Sequence, residues 1–548
     1  MPGLRRGSDA PSTAFNCREL KCSEVNIGTT LVTLVYRLFF AGPVHFHENS
    51  NASLLRPKPT LGGQKPACSQ CTRSGRKCDG YTDASQTELR SEIDRAIPRR
   101  TWNINPDQRI VLVPGTREER QYVHFFCTQV TEAISGVFHS DVWSQFLPQL
   151  SHQNSTIRHA VAAVGALYER RVLVLSNGSS EPEHFALQQY NKAIRDFLGQ
   201  LGSAQEVGVE LMLITCLLFV CFEMLQLNNQ RALDHVQGGV QILSERQRNG
   251  RPIIRNNIDR ELCQLFSRLN TQVSLFGRPT LALDITTEKP SSSSNASVTL
   301  ENISQARDSL SNLVNRAVAF TRVVGFMRER TPEPEHQRQL QMQRDLAEDF
   351  SEWHAAFEIL RAKPAKSAGI SDPRAPLVLV TEYHIMRLWL LNCVTREESS
   401  YDNHFADFDV AVSASEQIVA LSAAPNSKLA AHQFTLDADV VPALWWAAHK
   451  CRHPLIRRRA MRALDRYPTR EGMWNKTRYL RAAELIVGLE EAPVASLAVE
   501  ERTVAERHRI HNSLMFEENE FGPGSLPILL MTKPHGLDAE WVSRWYKV

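Results

Sequence analysis

From Arg117 onward apolar residues return every three to four positions, the period of a helix with one buried face. Tyr122, Phe125, Phe126, Val130 and Val137 form the first such set. Ile157, Val161, Val164, Leu167 and Tyr168 form the second, behind Ser155 as a candidate N-cap. Leu187, Tyr190, Ile194, Phe197, Leu198 and Leu201 make a third stripe. Leu211–Phe222 is apolar nearly all round between Glu210 and Glu223; its 12 residues cannot cross a bilayer, so it reads as a central buried helix. Two further stripes follow, Leu233, Val236, Val240 and Leu243, then Ile258 through Phe276. Alternating runs of the kind strands need are few, and no repeat period stands out. The pattern predicts an all-α protein.

Polar stretches mark the boundaries. Residues 82–116, with Pro98, Arg99, Arg100, Pro106 and Pro114, read as a linker. Leu89, Ile93 and Ile97 begin a helical stripe there, but Pro98 stops it before it amounts to a coiled coil, so the linker offers no clear seam for a homodimer. A large helical domain should occupy residues 117–490, interrupted by a loop at 279–299 containing SSSSNAS, with turns at Ser371–Ala375 and Leu421–Ser427. The tail, 491–548, is less regular; Trp541 and Trp545 are its candidates for packing back.

Bulk numbers change this picture little. Of 548 residues, 42% are hydrophobic and 22% charged, ordinary values for a globular chain. A net charge of +3 gives no global basic field, so any nucleic-acid footprint must be local. The 11 cysteines are an odd number, and Cys127, Cys216, Cys221, Cys263 and Cys393 sit singly in apolar stretches. They read as reduced buried thiols, not a disulfide frame. With no secretory signal, the glycosylation triplets at Asn51, Asn154 and Asn295 read as coincidence. No membrane span is expected.

Chemistry concentrates in Lys65–Tyr81, KPACSQCTRSGRKCDGY. Cys68 and Cys71 form a C-x-x-C turn that points two thiolates at one tetrahedral ion, and Cys78 follows after six residues. The interval carries Arg73, Arg76 and Lys77 and no acid, which suits a phosphate backbone. With Pro66 and the Asp79-Gly80-Tyr81 ending, the stretch resembles the second half of the fungal binuclear zinc cluster, in which six cysteines share two zincs. Upstream, Cys17, Arg18, Lys21 and Cys22 resemble a damaged first half. Ala14 stands where that family has its first cysteine, the Cys17–Cys22 interval is four residues where the family has six, and 45 residues separate Cys22 from Cys68. The resemblance implies zinc on Cys68, Cys71 and Cys78 together with Cys17 and Cys22. It also implies phosphate contacts from Arg73, Arg76 and Lys77, and a groove helix carrying Arg18 and the base-reading Lys21. Five thiolates do not fill two tetrahedral sites without a substitute such as His45 or His47. Within 1–64, Thr29–Val44 is a 16-residue apolar run that fits no neighbouring element. We read Val25 to about Gly63 as translated from an unspliced intron or as another gene-model error.

The helical region carries further pieces that resemble the regulatory region of one group of fungal zinc-cluster regulators. They are Asp141–Trp143 with Leu147–Leu150, Ile157–Glu169, Ala186–Ile194, Ala232–Leu243, Lys450–Ala463 and Arg470–Trp474. This resemblance implies a nuclear, zinc-dependent regulator of RNA polymerase II genes that binds double-stranded DNA and contacts the transcription machinery. The alternative is a helical protein-interaction protein whose zinc module is not functional.

The remaining candidates read structurally. Arg457, Arg458 and Arg459 fit a solvated face or internal ion pairs better than a second nucleic-acid site. Trp445, Trp446 and His449 either line a pocket or belong to the core. Asp437 and Asp439 fit a solvated helix start rather than an acid–base pair. No P-loop, G-x-G-x-x-G, G-x-S-x-G or H-E-x-x-H occurs, and no residue is a candidate catalyst.

Overall fold

A computed structural model describes residues 114–173, 181–202, 207–250, 252–276, 299–327, 333–423, 434–468, 470–516 and 527–548. The zinc-module residues Cys17, Arg18, Lys21, Cys22, Cys68, Cys71, Arg73, Arg76, Lys77 and Cys78 lie outside these, as do nearly all of the linker and of the 279–299 loop.

Thr116 caps α1 (Arg117–Phe125): its hydroxyl accepts from the Glu119 N–H at 3.2 Å, and Glu119 Oε2 accepts from the Thr116 N–H at 2.9 Å. A π-helical turn leads into α2 (Thr131–Ser135). α3 (Leu147–Gln153), α4 (Ser155–Tyr168) and α5 (Glu181–Leu201) follow. Asn154, not Ser155, caps α4; its Oδ1 accepts from the Ile157 N–H at 3.2 Å. The face that α5 buries also differs from the expected stripe. Leu187 is exposed, and Phe185, Ala186, Gln189, Tyr190, Ala193 and Phe197 point inward. The phase shifts because Gln189 is fixed on the buried side: its amide donates to Glu119 of α1 at 2.9 Å.

α6 (Val209–Leu225) is the expected central helix, buried from Met212 to Leu225 and packed by α4, α7 (Asn229–Arg248) and α8 (Asn257–Leu275). α7 and α8 approach closely at Gly239, where an added Cβ would stand 2.0 Å from the Phe266 ring. α9 (Ile303–Met327), α10 (Glu333–Arg361), α11 (Ala375–Asn392) and α12 (Phe405–Ser422) build the second half around Phe350, Trp353, Phe357 and Phe408. A two-residue parallel pairing of β1 (Phe434–Thr435) with β2 (Arg470–Glu471) closes around α13 (Val441–Lys450) and α14 (Pro454–Arg466). α15 (Lys476–Glu491) ends the helices.

The tail adds what the pattern did not predict, an antiparallel sheet of β3 (Ile510–Met515), β4 (Pro527–Thr532) and β5 (Val542–Lys547) in that order. β4 is a near-continuous apolar run, a bulge interrupts β3, and β5 is largely exposed, so strict alternation is absent. Trp541 packs back edge-on against His511, with Lys533 over its ring at 4.5 Å; Trp545 instead remains 54% exposed. The domain is mostly helical, and among the described residues no helix is long and apolar enough to cross a membrane. Cys216, Cys221, Cys263, Cys393 and Cys451 are buried free thiols, with Cys127 half-buried.

Candidate functional site

α8, α9, α11, α13 and the tail sheet do not close completely on one another. Between them lies a cavity of about 970 Å³. Its long walls are α11 and α13, and both helices present one face along it. From α11 come Glu382, Ile385, Met386, Trp389 and Cys393, at the i, i+3, i+4, i+7, i+11 spacing of one helical side. From α13 and the turn before it come Asp439, Ala443, Trp446 and Lys450, with Trp445 and His449 on the adjoining line. Trp445, Trp446 and His449 therefore line a pocket, and Trp445 and His449 are also almost fully buried.

One end of the cavity is rich in carboxyl groups. Asp437 accepts from Arg307 at 2.6 Å and lies 3.7 Å from Arg268. The Arg307 guanidinium also stacks 3.9 Å from the Phe138 ring centroid. Burial pushes the Glu382 carboxyl up to about 6, although Arg307 and Arg268 pull it back. Burial, with Asp437 and Glu471 adding repulsion, holds Asp439 well above the usual carboxylate range. Asp437 and Asp439 are not a solvated helix start. They sit in the irregular stretch between β1 and α13, and that start is capped by Glu471, whose carboxylate accepts the N–H groups of Asp439, Val440 and Val441 at 2.9–3.0 Å.

The other end is closed by paired charges. Lys450 donates to Glu398 at 2.9 Å and to the His511 carbonyl of β3 at 2.7 Å. Arg452 bridges Glu398 and Glu490, each at 2.9 Å, and Arg457 reaches Glu490 at 2.8 Å. Glu490 also takes the Ile510 N–H at 2.7 Å, which pins the sheet to α15. Arg458 and Arg502 share Glu491, while Arg459 pairs with Asp409 and Glu416. The arginine triplet is thus consumed by internal ion pairs, as its spacing suggested. His449 stands between the ends: burial first, then the Lys450 and Arg452 cations, hold its imidazole well below its ordinary value, so it is neutral at pH 7.

Sequence reasoning missed Glu382, Arg268 and Arg307. A signal was present for Glu382, a lone acid among apolar neighbours in the run LVLVTEYHIM. Among the described residues no group of three or more His, Cys, Asp or Glu is placed to hold a metal. The zinc-module residues lie outside the described residues.

Residues 121–352 match the fungal specific transcription factor domain. The match covers part of α1, all of α2 to α9 and most of α10, hence two walls of the cavity; α11, α13 and the sheet lie beyond it. The chain is 22% identical over 529 residues to the aspercryptin biosynthesis cluster-specific transcription regulator of Emericella nidulans, an alignment covering 78% of this chain and 85% of that protein. No solved structure matches. The family and this relative are transcription regulators, which are not enzymes. Over residues 121–352 the chain is similar to the fungal specific transcription factor domain, and over most of its length to a fungal cluster-specific transcription regulator.

Proposed function

We propose that this chain is a zinc-dependent, sequence-specific DNA-binding regulator of RNA polymerase II genes, acting in the nucleus. One observation carries the reading: a C-x-x-C-x6-C motif whose long interval carries three basic residues and no acid stands upstream of a segment matching a fungal transcription factor domain. The donor set at Cys68, Cys71 and Cys78 suits tetrahedral zinc with one further ligand, and Cys17 and Cys22 are the nearest thiols to supply it. Bound there, zinc would fix the fold of the knuckle. Arg73, Arg76 and Lys77 then contact phosphate, and Arg18 and Lys21 approach the groove. The relative's name extends the proposal to its targets, the genes of a biosynthetic cluster.

The test is a Cys71→Ser variant of the full chain. Zinc per chain falls and the gel shift on genomic duplex fragments is lost; chelator abolishes the wild-type shift. Unchanged zinc stoichiometry in the variant overturns the site.

The five cysteines and the 45-residue interval favour a second reading, a helical protein-interaction protein without a working zinc module. Wild-type protein that ignores duplex DNA at moderate salt, with or without zinc, supports it. Sequencing the mature transcript decides whether residues 25–63 are intron.

A further inference from the structure

The cavity's two ends treat charge differently. At the sheet end each cation has its carboxylate: Lys450 and Arg452 with Glu398, Arg452 and Arg457 with Glu490. At the opposite end, Glu382, Asp437 and Asp439 line the cavity with Arg268 and Arg307, and Asp308 and Glu471 add two further carboxyls beside them. Asp437 takes the one close pair, with Arg307, and Glu471 is spent on the α13 N-terminus. Glu382 and Asp439 line the cavity and, among the described residues, neither carboxyl has a hydrogen bond or an ion pair. Two carboxyls facing a cavity with no cation of their own are half of an ion pair.

The wall leading away from them is aromatic and apolar. Ile385, Met386 and Trp389 of α11 face Ala443, Trp445 and Trp446 of α13. Polar groups interrupt it sparingly. His449 is 4% exposed and its Nε2 has no partner; the Trp474 Nε1–H at the same cavity is also unpartnered. A buried donor or acceptor left unpaired is costly, so such groups in a cavity wall await a ligand atom.

We propose that this cavity binds an organic cation, an amine carried on an aromatic or aliphatic body, with the ammonium group between Glu382 and Asp439 and the body along the tryptophan wall. From Glu382 to Cys393 the wall runs roughly 16 Å at the 1.5 Å helical rise, which sets the length of the ligand. An anion would meet excess negative charge at one end and a closed set of ion pairs at the other, and Arg322, the remaining cation of the lining, is turned onto the Ser274 carbonyl and hydroxyl. A purely apolar ligand would leave two carboxyls desolvated and unpaired, a cost a positive group removes. The tryptophan faces add cation–π attraction for a charge displaced along the wall. This site deepens the regulator reading by giving it an effector class, and it is tested without DNA, so failure here and failure of DNA binding are separate results.

The pH dependence follows from the groups facing Glu382, namely Arg268 of α8, Arg307 of α9, and Asp437 and Asp439 of the turn before α13. Glu382, raised to about 6, is protonated below that pH and then offers no charge to an ammonium group.

Three probes with one fluorescent body decide it: dansylcadaverine (ammonium), N-pentyl dansylamide (neutral) and dansyl-6-aminohexanoate (carboxylate), titrated into the full chain at pH 7.5. The ammonium probe binds at least about tenfold tighter than the neutral one, and the carboxylate probe weakest. In the Glu382→Gln, Asp439→Asn double variant the ammonium probe falls to the affinity of the neutral one, which is unchanged. In wild type, lowering the pH to 5.5 weakens only the ammonium probe, a measurement that needs no variant to fold. Three results overturn the proposal: a carboxylate probe that binds as well as the ammonium, an ammonium preference that survives in the double variant or is flat with pH, or no binding of any probe.

Discussion

Two regions of this domain bury charge at opposite ends of one cavity, and they solve the problem in opposite ways. Around Glu490 each carboxylate oxygen is occupied: Arg452 and the Ile510 N–H on one, Arg457 on the other. At the other end the carboxyls outnumber the cations, and among the described residues those of Glu382 and Asp439 stay unpaired. Burial acts on both regions alike, since it disfavours any charge. In the first region the guanidinium groups overcome it and hold Glu490 at about 2; in the second it wins and Glu382 rises to about 6. A satisfied buried network holds elements together. An unsatisfied one costs stability in the absence of a partner, and such groups cluster where ligands bind. The difference separates a structural clamp from a candidate site within a few turns of the same helices.

The largest effect is expected at Glu490. Its replacement by alanine removes the close carboxylate of buried Arg457 and one of the two held by Arg452, and frees the first residue of β3. We expect a loss of about 3–5 kcal/mol, seen as a lower urea midpoint by circular dichroism. Detachment of the tail sheet should appear in the same variant as faster amide exchange over residues 510–515. A loss under 1 kcal/mol would show that the network is not the clamp described.

Opposite pH slopes sharpen the same contrast. Glu490 lies below its ordinary 4.5, so its stabilisation, about 3 kcal/mol, is present above pH 4.5 and is lost as pH falls toward 2. Glu382 lies above 4.5, so it destabilises the folded state by about 2 kcal/mol once pH rises past 6, and that cost is absent below 4.5. Glu382→Gln should therefore stabilise the ligand-free protein at pH 7.5 by up to this amount and flatten its stability profile between pH 4.5 and 6. Urea melts of both proteins across that window check it. Destabilisation at pH 7.5 would mean that Glu382 already has a partner.

What the sequence made legible follows from what each pattern measures. Helical periodicity reports a face turned inward, so α4, α6 and α8 were found. It misjudged α5, where Gln189 goes inward to meet Glu119 and Leu187 stays outside. Strand alternation reports one wet face; β3 to β5 lack it, and the sheet went unseen. Trp445, Trp446 and His449 were readable as a pocket or as core, because a helix of apolar residues looks the same against protein or against a cavity. Asp437 and Asp439 were misplaced for a related reason: no local rule says that Glu471, 30 residues later, will cap α13 and leave Asp439 to the cavity. Glu382 meets Arg268 and Arg307 only through three-dimensional packing of α8, α9 and α11, which spacing along the chain does not encode.

The smallest effect is expected at Arg459, and it tests the boundary of the clamp. Its guanidinium binds Glu416 at 2.6 Å and also reaches Asp409 and Ser413, yet it lies at the surface, 28% exposed, with both carboxylates more open still. Solvent screens this pair as it cannot screen Arg457, whose side chain is fully buried one residue pair away on the same helix. Arg459→Ala should cost no more than about 1 kcal/mol, and raised salt should erase the difference from wild type. If the arginine triplet served a second nucleic-acid surface, the same substitution would weaken DNA binding and lower its salt dependence by about one unit of slope. We expect an unchanged slope, since the guanidinium is already held by two carboxylates.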